Sequence, residues 1–484
     1  MTKETTKYIN EVATPIREIF RDMLKYAPSK LFGLLGNAII IPLYTNLLAP
    51  SQYGAYTMAL AILSFLCILF SDWVGLSGLR FFRQNQLSDK IPHYLSALML
   101  ILGSNLIIMY LLAFIFKQQF LEYFTISPKL FIFILVLVIP VAIRALLFQV
   151  LRAQIKPGAF TISTIINQIL TISLAIFILK FYNLGSASIL IAMAISISLI
   201  DILLLLQSNI LKYIRFELPN FAMVKSIFLY GTPIAIASIS LWAINQSNKF
   251  ITSHYYGLKE AGLVGVAYNM TFPILMTLFA IITIAAYPRI INLYEDKIDI
   301  RPVLSKLTGY YFLVSIPIII IIAIYAPEII TMFANSKYQN AYILLPYFAL
   351  SAFFLSLTDY TTIQYHLSKK TYILTTLKVW AGIIGIILNI VLIKKMGLIG
   401  IGVGTMLSNL FYFLMTTFIV IPGFEWKIPY KKLYRIFLCL IPTFLLCLAL
   451  KTTTLFVGIQ IIILLSFFYF LYYITRTKTQ GFFI

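Results

Sequence analysis

Long apolar runs separated by short polar connectors dominate the chain. They lie near 27–48, 53–79, 94–116, 130–151, 159–180 and 187–207, then near 226–248, 261–287, 307–326, 341–365, 372–393 and 399–420. Two more follow near 435–450 and 455–474. An α-helix needs about 20 apolar residues to cross the hydrocarbon core of a bilayer. The pattern therefore predicts an all-α polytopic membrane protein with about 14 transmembrane helices. No connector exceeds roughly twenty residues, too few for a soluble domain. The head of the chain differs. In "MTKETTKYINEVATPIREIFRDMLK", Ile9, Val12, Ile16, Ile19 and Met23 recur at helical spacing with charges opposite them. Acidic residues interrupt any apolar stretch that could serve as a cleaved signal. Residues 1–25 are thus expected to form a cytoplasmic amphipathic helix on the inner membrane surface.

One interruption recurs. "LLAPSQYGAYTMALAI" at 47–62 closes the first hairpin, and "YYGLKEAGLVGVAYNM" at 255–270 follows the seventh run. Aligning Gly54 with Gly262 places Ala59 on Ala267, and "YAPSKL" from Tyr26 then faces "YGTPIA" from Tyr230. A second pair, "NLGSASILIAMA" from Asn183 and "KMGLIGIGVGTM" from Lys395, joins the fifth and sixth runs of each half. The spacing predicts two six-helix pseudo-repeats, 26–207 and 226–420, joined by a cytoplasmic linker at 208–225. Residues 421–484 add a further helix pair and a short cytoplasmic tail. An even helix count gives both repeats the same orientation, with a substrate site expected between them.

Composition agrees with a membrane solvent: 61% of residues are hydrophobic and 11% charged, against about 25% charged in soluble chains. The net charge of +21 sits mostly in connectors. Alternating the runs places about 25 Lys and Arg on one side, including Arg80, Arg83, Arg152, Lys156, Arg289, Lys431 and Lys432, and about 9 on the other. Cytoplasmic loops carry that excess, so both termini are expected in the cytoplasm and the 49–53 turn outside. The same distribution explains the charge without a nucleic-acid partner. Cys67, Cys439 and Cys447 lie inside apolar runs and the three histidines are scattered. No disulfide, metal or cofactor is expected from that spacing.

Four features together resemble one family: the basic amphipathic start, the "LLAPSQYGAYTMALAI" hairpin, "GLSGLRFFRQ" after the second run, and the "MGLIGIGVGTML" entry to the twelfth. It is the polysaccharide-transport (Wzx-type O-antigen) flippases of the multidrug/oligosaccharidyl-lipid/polysaccharide (MOP) exporter superfamily. The resemblance implies a V-shaped two-lobe transporter in the inner membrane of a bacterium. Its cargo would be an undecaprenyl-diphosphate-linked oligosaccharide, carried from the inner to the outer leaflet. It also implies membrane lipids, a polysaccharide polymerase and other assembly proteins as partners, and H+ or Na+ as a coupling ion. The extra helix pair fits this branch, whereas drug exporters of the superfamily usually stop at twelve helices. Lipid II flippases would carry an Arg-Asp pair in the first helix, where this chain offers only Lys30.

Ionisable and polar groups inside spans are costly and mark candidate sites. The first span carries Lys30, Asn37 and Tyr44 at steps of seven, and the seventh places Trp242, Asn245, Gln246 and Lys249 in one quadrant. The eleventh aligns Thr371, Thr375, Lys378, Gly382, Gly385 and Asn389. Arg144 follows Pro140 by one turn. Counted from the cytoplasmic ends, Lys30, Asp72, Arg144, Asp201, Asp359 and Lys378 all fall about three to seven residues in, roughly 5–10 Å deep. This belt is where the phosphates of the implied cargo would sit. The expected substrate-binding set is Lys30, Asn37, Arg144, Lys378, Trp242, Asn245, Gln246 and Lys249. Snorkelling of lysine and arginine toward the interface is the structural alternative. Asp72, Asp201 and Asp359 are expected in ion pairs, Asp72 and Asp201 with Lys30 and Arg144, or in ion coupling. Gly400, Gly404 and Ser408 form a small-residue ladder suited to close helix packing. No outer connector holds paired carboxylates or a nucleophile–base pair, which argues against an enzyme. A cation-coupled multidrug antiporter is the competing function, and it would favour an acidic residue in the first span, which has none.

Overall fold

The computed structural model describes residues 38–88, 90–124, 126–154, 157–208, 220–424, 428–451 and 457–480, with Gly33, Leu34 and Gly36. The segment expected to form an amphipathic helix and residues 209–219 of the linker lie outside the described residues. All regular structure among the described residues is helical. Thirteen helices there are long and apolar enough to cross a membrane, and Ala38–Leu47 is a shorter apolar one. The order begins α1 (Ala38–Leu47), α2 (Pro50–Leu87), α3 (Ile91–Ile115), short α4 (Lys117–Phe124), α5 (Pro128–Ala153), α6 (Pro157–Tyr182) and α7 (Ser186–Ser208). It continues α8 (Phe221–Tyr256), α9 (Leu258–Glu295), α10 (Arg301–Ile324) and short α11 (Ala326–Phe333). A 3-10 segment, Ser336–Leu344, leads into α12 (Leu345–Leu367), followed by α13 (Thr371–Met396), α14 (Leu398–Phe418), α15 (Tyr430–Lys451) and α16 (Val457–Gln480).

Local chemistry sets the ends. Pro50 and Pro128 open α2 and α5, where a missing N–H costs nothing. Ser127 accepts from the Leu130 N–H at 3.3 Å, and Asn220 caps α8 through the Ala222 N–H at 2.9 Å. Gly185 and Gly397, paired in the sequence repeat, turn the chain with φ of +57° and +60°, a conformation glycine adopts without steric cost.

Several helices outrun the apolar runs that announced them. The run at 53–79 is part of Pro50–Leu87, and α8 and α9 are 36 and 38 residues long. At 1.5 Å per residue these two span about 54–57 Å, beyond the roughly 30 Å of hydrocarbon. Polar residues such as Arg, Gln and Asn end an apolar run without ending a helix. Short α4, α11 and the 3-10 segment likewise occupy stretches read from sequence as connector or run edge.

The described chain divides into two compact units. The first comprises Ile39–Val266 with Tyr372–Ser408, and the second Ala267–Thr371 with the chain from Asn409 onward. In lipid, helix association relies on close packing more than on the hydrophobic effect, and the first unit shows it at its glycines. Ala49 donates its N–H to Gln52 Oε1 at 3.1 Å, and Tyr44, Tyr53 and Tyr56 pack edge to face with centroids 5.7 Å apart. One turn on, α2 and α9 touch backbone to backbone. A Cβ at Gly54 would lie 1.9 Å from the Leu258 carbonyl oxygen, and one at Gly262 2.1 Å from that of Pro50. The hairpin sequence thus recurs at 255–270 because its two copies meet. The Gly400–Gly404–Ser408 ladder has the same cause: Gly400 abuts the Leu392 carbonyl, Gly404 abuts Asn389, and Ser408 faces Gly385.

The second unit is built on an aromatic core. Phe279 meets Tyr311 and Tyr360 edge-on at 5.5 and 5.1 Å, with Leu307 and Phe468 fully buried or nearly so. The added pair α15–α16 is fastened to α10 through a notch at Gly309. Lys432 lies in that notch, its Nζ 3.6 Å from the Tyr310 ring centroid and donating to the Lys306 carbonyl at 3.3 Å.

Candidate functional site

The first unit holds two polar clusters. On α5, Arg144 follows the helix-internal Pro140 and reaches across to α7. Its Nε donates to Asp201 Oδ1 at 3.0 Å and its Nη2 to the Ile197 carbonyl at 2.8 Å. The side chains are 12% and 6% exposed, so Arg144 is committed to α7 and does not snorkel. Asp201 Oδ2 is buried without a hydrogen-bond partner. An ion pair this enclosed is costly to break, because loss of one member strands the other.

The second cluster joins α8 to α13 and α14. Lys249 is 5% exposed and donates to Gln246 Oε1 at 2.7 Å. Asn245 is buried and donates to the Leu241 carbonyl at 3.0 Å. Trp242 turns toward α2, its Nε1 donating to the Ala61 carbonyl at 3.0 Å and to Ser64 Oγ at 3.1 Å between the Phe65 and Phe250 rings. Trp242 is therefore a packing anchor for α2, a role its polar neighbours in sequence concealed. Sequence reasoning missed Asn248 and Thr405. Asn248 Nδ2 donates to Thr405 Oγ1 at 3.4 Å, which is also within 3.4 Å of Asn389 Oδ1. Asn248 Oδ1 and Asn389 Nδ2 remain buried without partners. The signal was present in the Asn389 stripe and the Gly404 ladder, but the facing residue on α8 needs the packing to be known.

The remaining belt residues stand at different distances from their helix ends. Lys378 is half-buried seven residues into α13, whereas Arg144 stands nine residues before Ala153 and Asp72 fifteen before Leu87. The overrun of α2 past its apolar run accounts for most of the spread. Asp72 closes a π-helical turn, Ile68–Asp72, and receives a 3.4 Å hydrogen bond from Ser71. Lys30 and Asn37 lie outside the described residues. Asp359 belongs to the second unit, exposed on the wall of a cavity of about 430 Å³ with Thr283, Tyr287, Thr362 and His366. Among the described residues no three His, Cys, Asp or Glu side chains cluster as metal ligands, and the three cysteines are buried and not joined in a disulfide.

The number and length of the apolar helices among the described residues define a polytopic membrane protein. The solved lipid II flippase MurJ, in an inward closed conformation, is similar with a TM-score of 0.75 and 17% identity over 93% of this chain and 97% of that one. An inward-facing multidrug resistance MATE family transporter of the MOP superfamily is similar at 0.62, with 12% identity over 80% of this chain and 93% of that one. A MATE transporter of Vibrio cholerae, VcmN, follows at 0.52, with 14% identity over 84% and 96%. These likenesses establish the fold. No curated protein compared by sequence matches the chain. Residues 44–343 match the model of the polysaccharide biosynthesis protein family, and the chain belongs to that family.

Proposed function

We propose that this protein is a flippase that moves an undecaprenyl-diphosphate-linked oligosaccharide from the inner to the outer leaflet of a bacterial cytoplasmic membrane by alternating access. The observation that carries the reading is the match of residues 44–343 to a polysaccharide biosynthesis family in a chain with a transporter fold. The family match together with the transporter fold supports transport rather than an enzymatic step of that biosynthesis. In this reading both termini are cytoplasmic. Lys378, Lys249 and Lys30 are the cations that attract the diphosphate, since Arg144 is neutralised by Asp201. A diphosphate needs several donors, because one lysine in a wet cavity gives only a screened attraction.

A cation-coupled multidrug antiporter is the second reading, favoured by the likeness to a MATE transporter at TM-score 0.62. That likeness leaves a fifth of the chain uncovered, whereas the flippase likeness spans 93% of it. Deleting the gene decides between them. The expected result is lipid-linked oligosaccharide trapped on the inner leaflet with unchanged drug sensitivity. Normal polysaccharide export with accumulation of cationic dyes would establish the antiporter instead.

A further inference from the structure

The cavity of about 430 Å³ in the second unit falls within the size of small-molecule sites. Its walls come from the later turns of α9 and α12, with Leu304 of α10 closing one side. Three of the polar groups, Thr283, Thr362 and Asp359, have a common character, beside the phenols of Tyr287 and Tyr360 and the imidazole of His366. Thr283 donates its hydroxyl proton to the Phe279 and Ala280 carbonyls at 3.2 and 3.4 Å, and Thr362 donates to the Asp359 carbonyl at 3.4 Å. With those protons committed, the hydroxyl oxygens can only accept. The Asp359 carboxylate, when ionised, is an acceptor with two oxygens. Tyr287 supplies an aromatic wall, 40% exposed and meeting His366 edge-on at 6.4 Å.

We propose that this cavity is a sugar subsite, in which Asp359, Thr283 and Thr362 accept hydrogen bonds from ligand hydroxyls while the Tyr287 ring packs against the apolar face of a pyranose. The proposal rests on the flippase reading and assigns part of its cargo a place. Three acceptor-bearing side chains call for a ligand with several donors, which a glycan supplies and a quaternary amine does not. The volume exceeds what a bare metal ion fills. The carboxylate also repels phosphate, so the cavity takes the glycan and leaves the diphosphate to lysines elsewhere. Neither the α8 polar cluster nor the Arg144–Asp201 pair is needed for this binding.

The test uses the full chain in nanodiscs and saturation-transfer NMR. The probes are methyl glycosides of a hexose, an N-acetylhexosamine and a 6-deoxyhexose, with tetraethylammonium as the cationic probe. At least one glycoside should receive saturation from the wild type. Its affinity should fall about tenfold or more in Asp359→Ala, the expected loss of hydrogen bonds to a charged acceptor. Tyr287→Ala should weaken it too, and Glu122→Gln on α4, in the other unit, should not. Asp359 and Tyr287 are exposed, and an unchanged thermal midpoint confirms that each variant is folded. A wild type that binds no glycoside, equal glycoside binding by wild type and Asp359→Ala, or Asp359-dependent binding of tetraethylammonium alone would each overturn the subsite. The deletion phenotype is scored separately. Trapped lipid-linked oligosaccharide with any of those three results removes the subsite and keeps the flippase.

Discussion

Replacing Gly54 by alanine adds one methyl where two helix backbones already touch. The new Cβ would stand 1.9 Å from the Leu258 carbonyl oxygen, 2.9 Å from the Gly262 nitrogen and 3.0 Å from the Leu258 carbonyl carbon. All three neighbours are backbone, so no side chain can swing aside, and α2 and α9 must separate by more than an ångström to restore van der Waals contact. Separation also opens the next turn, where Gly265 fits against the Thr57 side chain. Overpacking of this kind costs about 1–3 kcal/mol, partly offset by the roughly 0.5–1 kcal/mol that alanine gains over glycine in a helix. Gly103 on α3 provides the control, because a Cβ there meets nothing within 4 Å. Thermal unfolding of the purified protein in detergent should show Gly54→Ala and Gly262→Ala destabilised and Gly103→Ala unchanged or slightly stabilised. If Gly54→Ala behaves like Gly103→Ala, the backbone contact between α2 and α9 does not exist, and the explanation of the recurring hairpin fails with it.

Other outcomes follow from the remaining contacts. Arg144→Gln and Asp201→Asn should each destabilise the protein by about 3–5 kcal/mol, while a double apolar replacement recovers most of that loss; thermal unfolding of Arg144→Gln at the wild-type midpoint would mean that the pair is not buried. A cysteine at exposed Ser51 should react with an impermeant maleimide from outside intact cells, and reaction only after lysis would invert the proposed topology. Lys378→Arg should retain substantial transport of lipid-linked oligosaccharide and Lys378→Gln should lose most of it at equal protein level; normal transport by the glutamine variant would remove Lys378 from the anion site.

Sequence pattern conveyed the architecture well wherever lipid imposed it. Apolar runs located the spans because the bilayer sets their length, and the Gly54/Gly262 and Gly185/Gly397 pairs were visible because backbone contact and left-handed turns each demand glycine. Helix ends were less legible, since α8 and α9 continue through polar residues that water tolerates as readily as a loop. Site residues were least legible. Periodicity places Trp242 on the face of Asn245 and Lys249, yet whether that face meets a cavity or another helix depends on what lies opposite. Asn248 went unnoticed for the same reason: its partner Thr405, which in turn meets Asn389, lies more than a hundred residues away in sequence.

The π-helical turn at Ile68–Asp72 has the form of an insertion that the fold absorbed. One residue too many in a helix advances everything beyond it by about 100°, and a wide turn is how a helix holds the extra residue without breaking. Trp73, which packs against Phe228 and fills the space over Gly231, points there because of that surplus. Removing a single residue from 68–72 would leave an ordinary, continuous helix, but would rotate Trp73, Ser77 and Phe82 off their neighbours together. A deletion harmless to helicity would thus be ruinous to packing, and such a chain would keep its helical circular dichroism while losing its sharp unfolding transition.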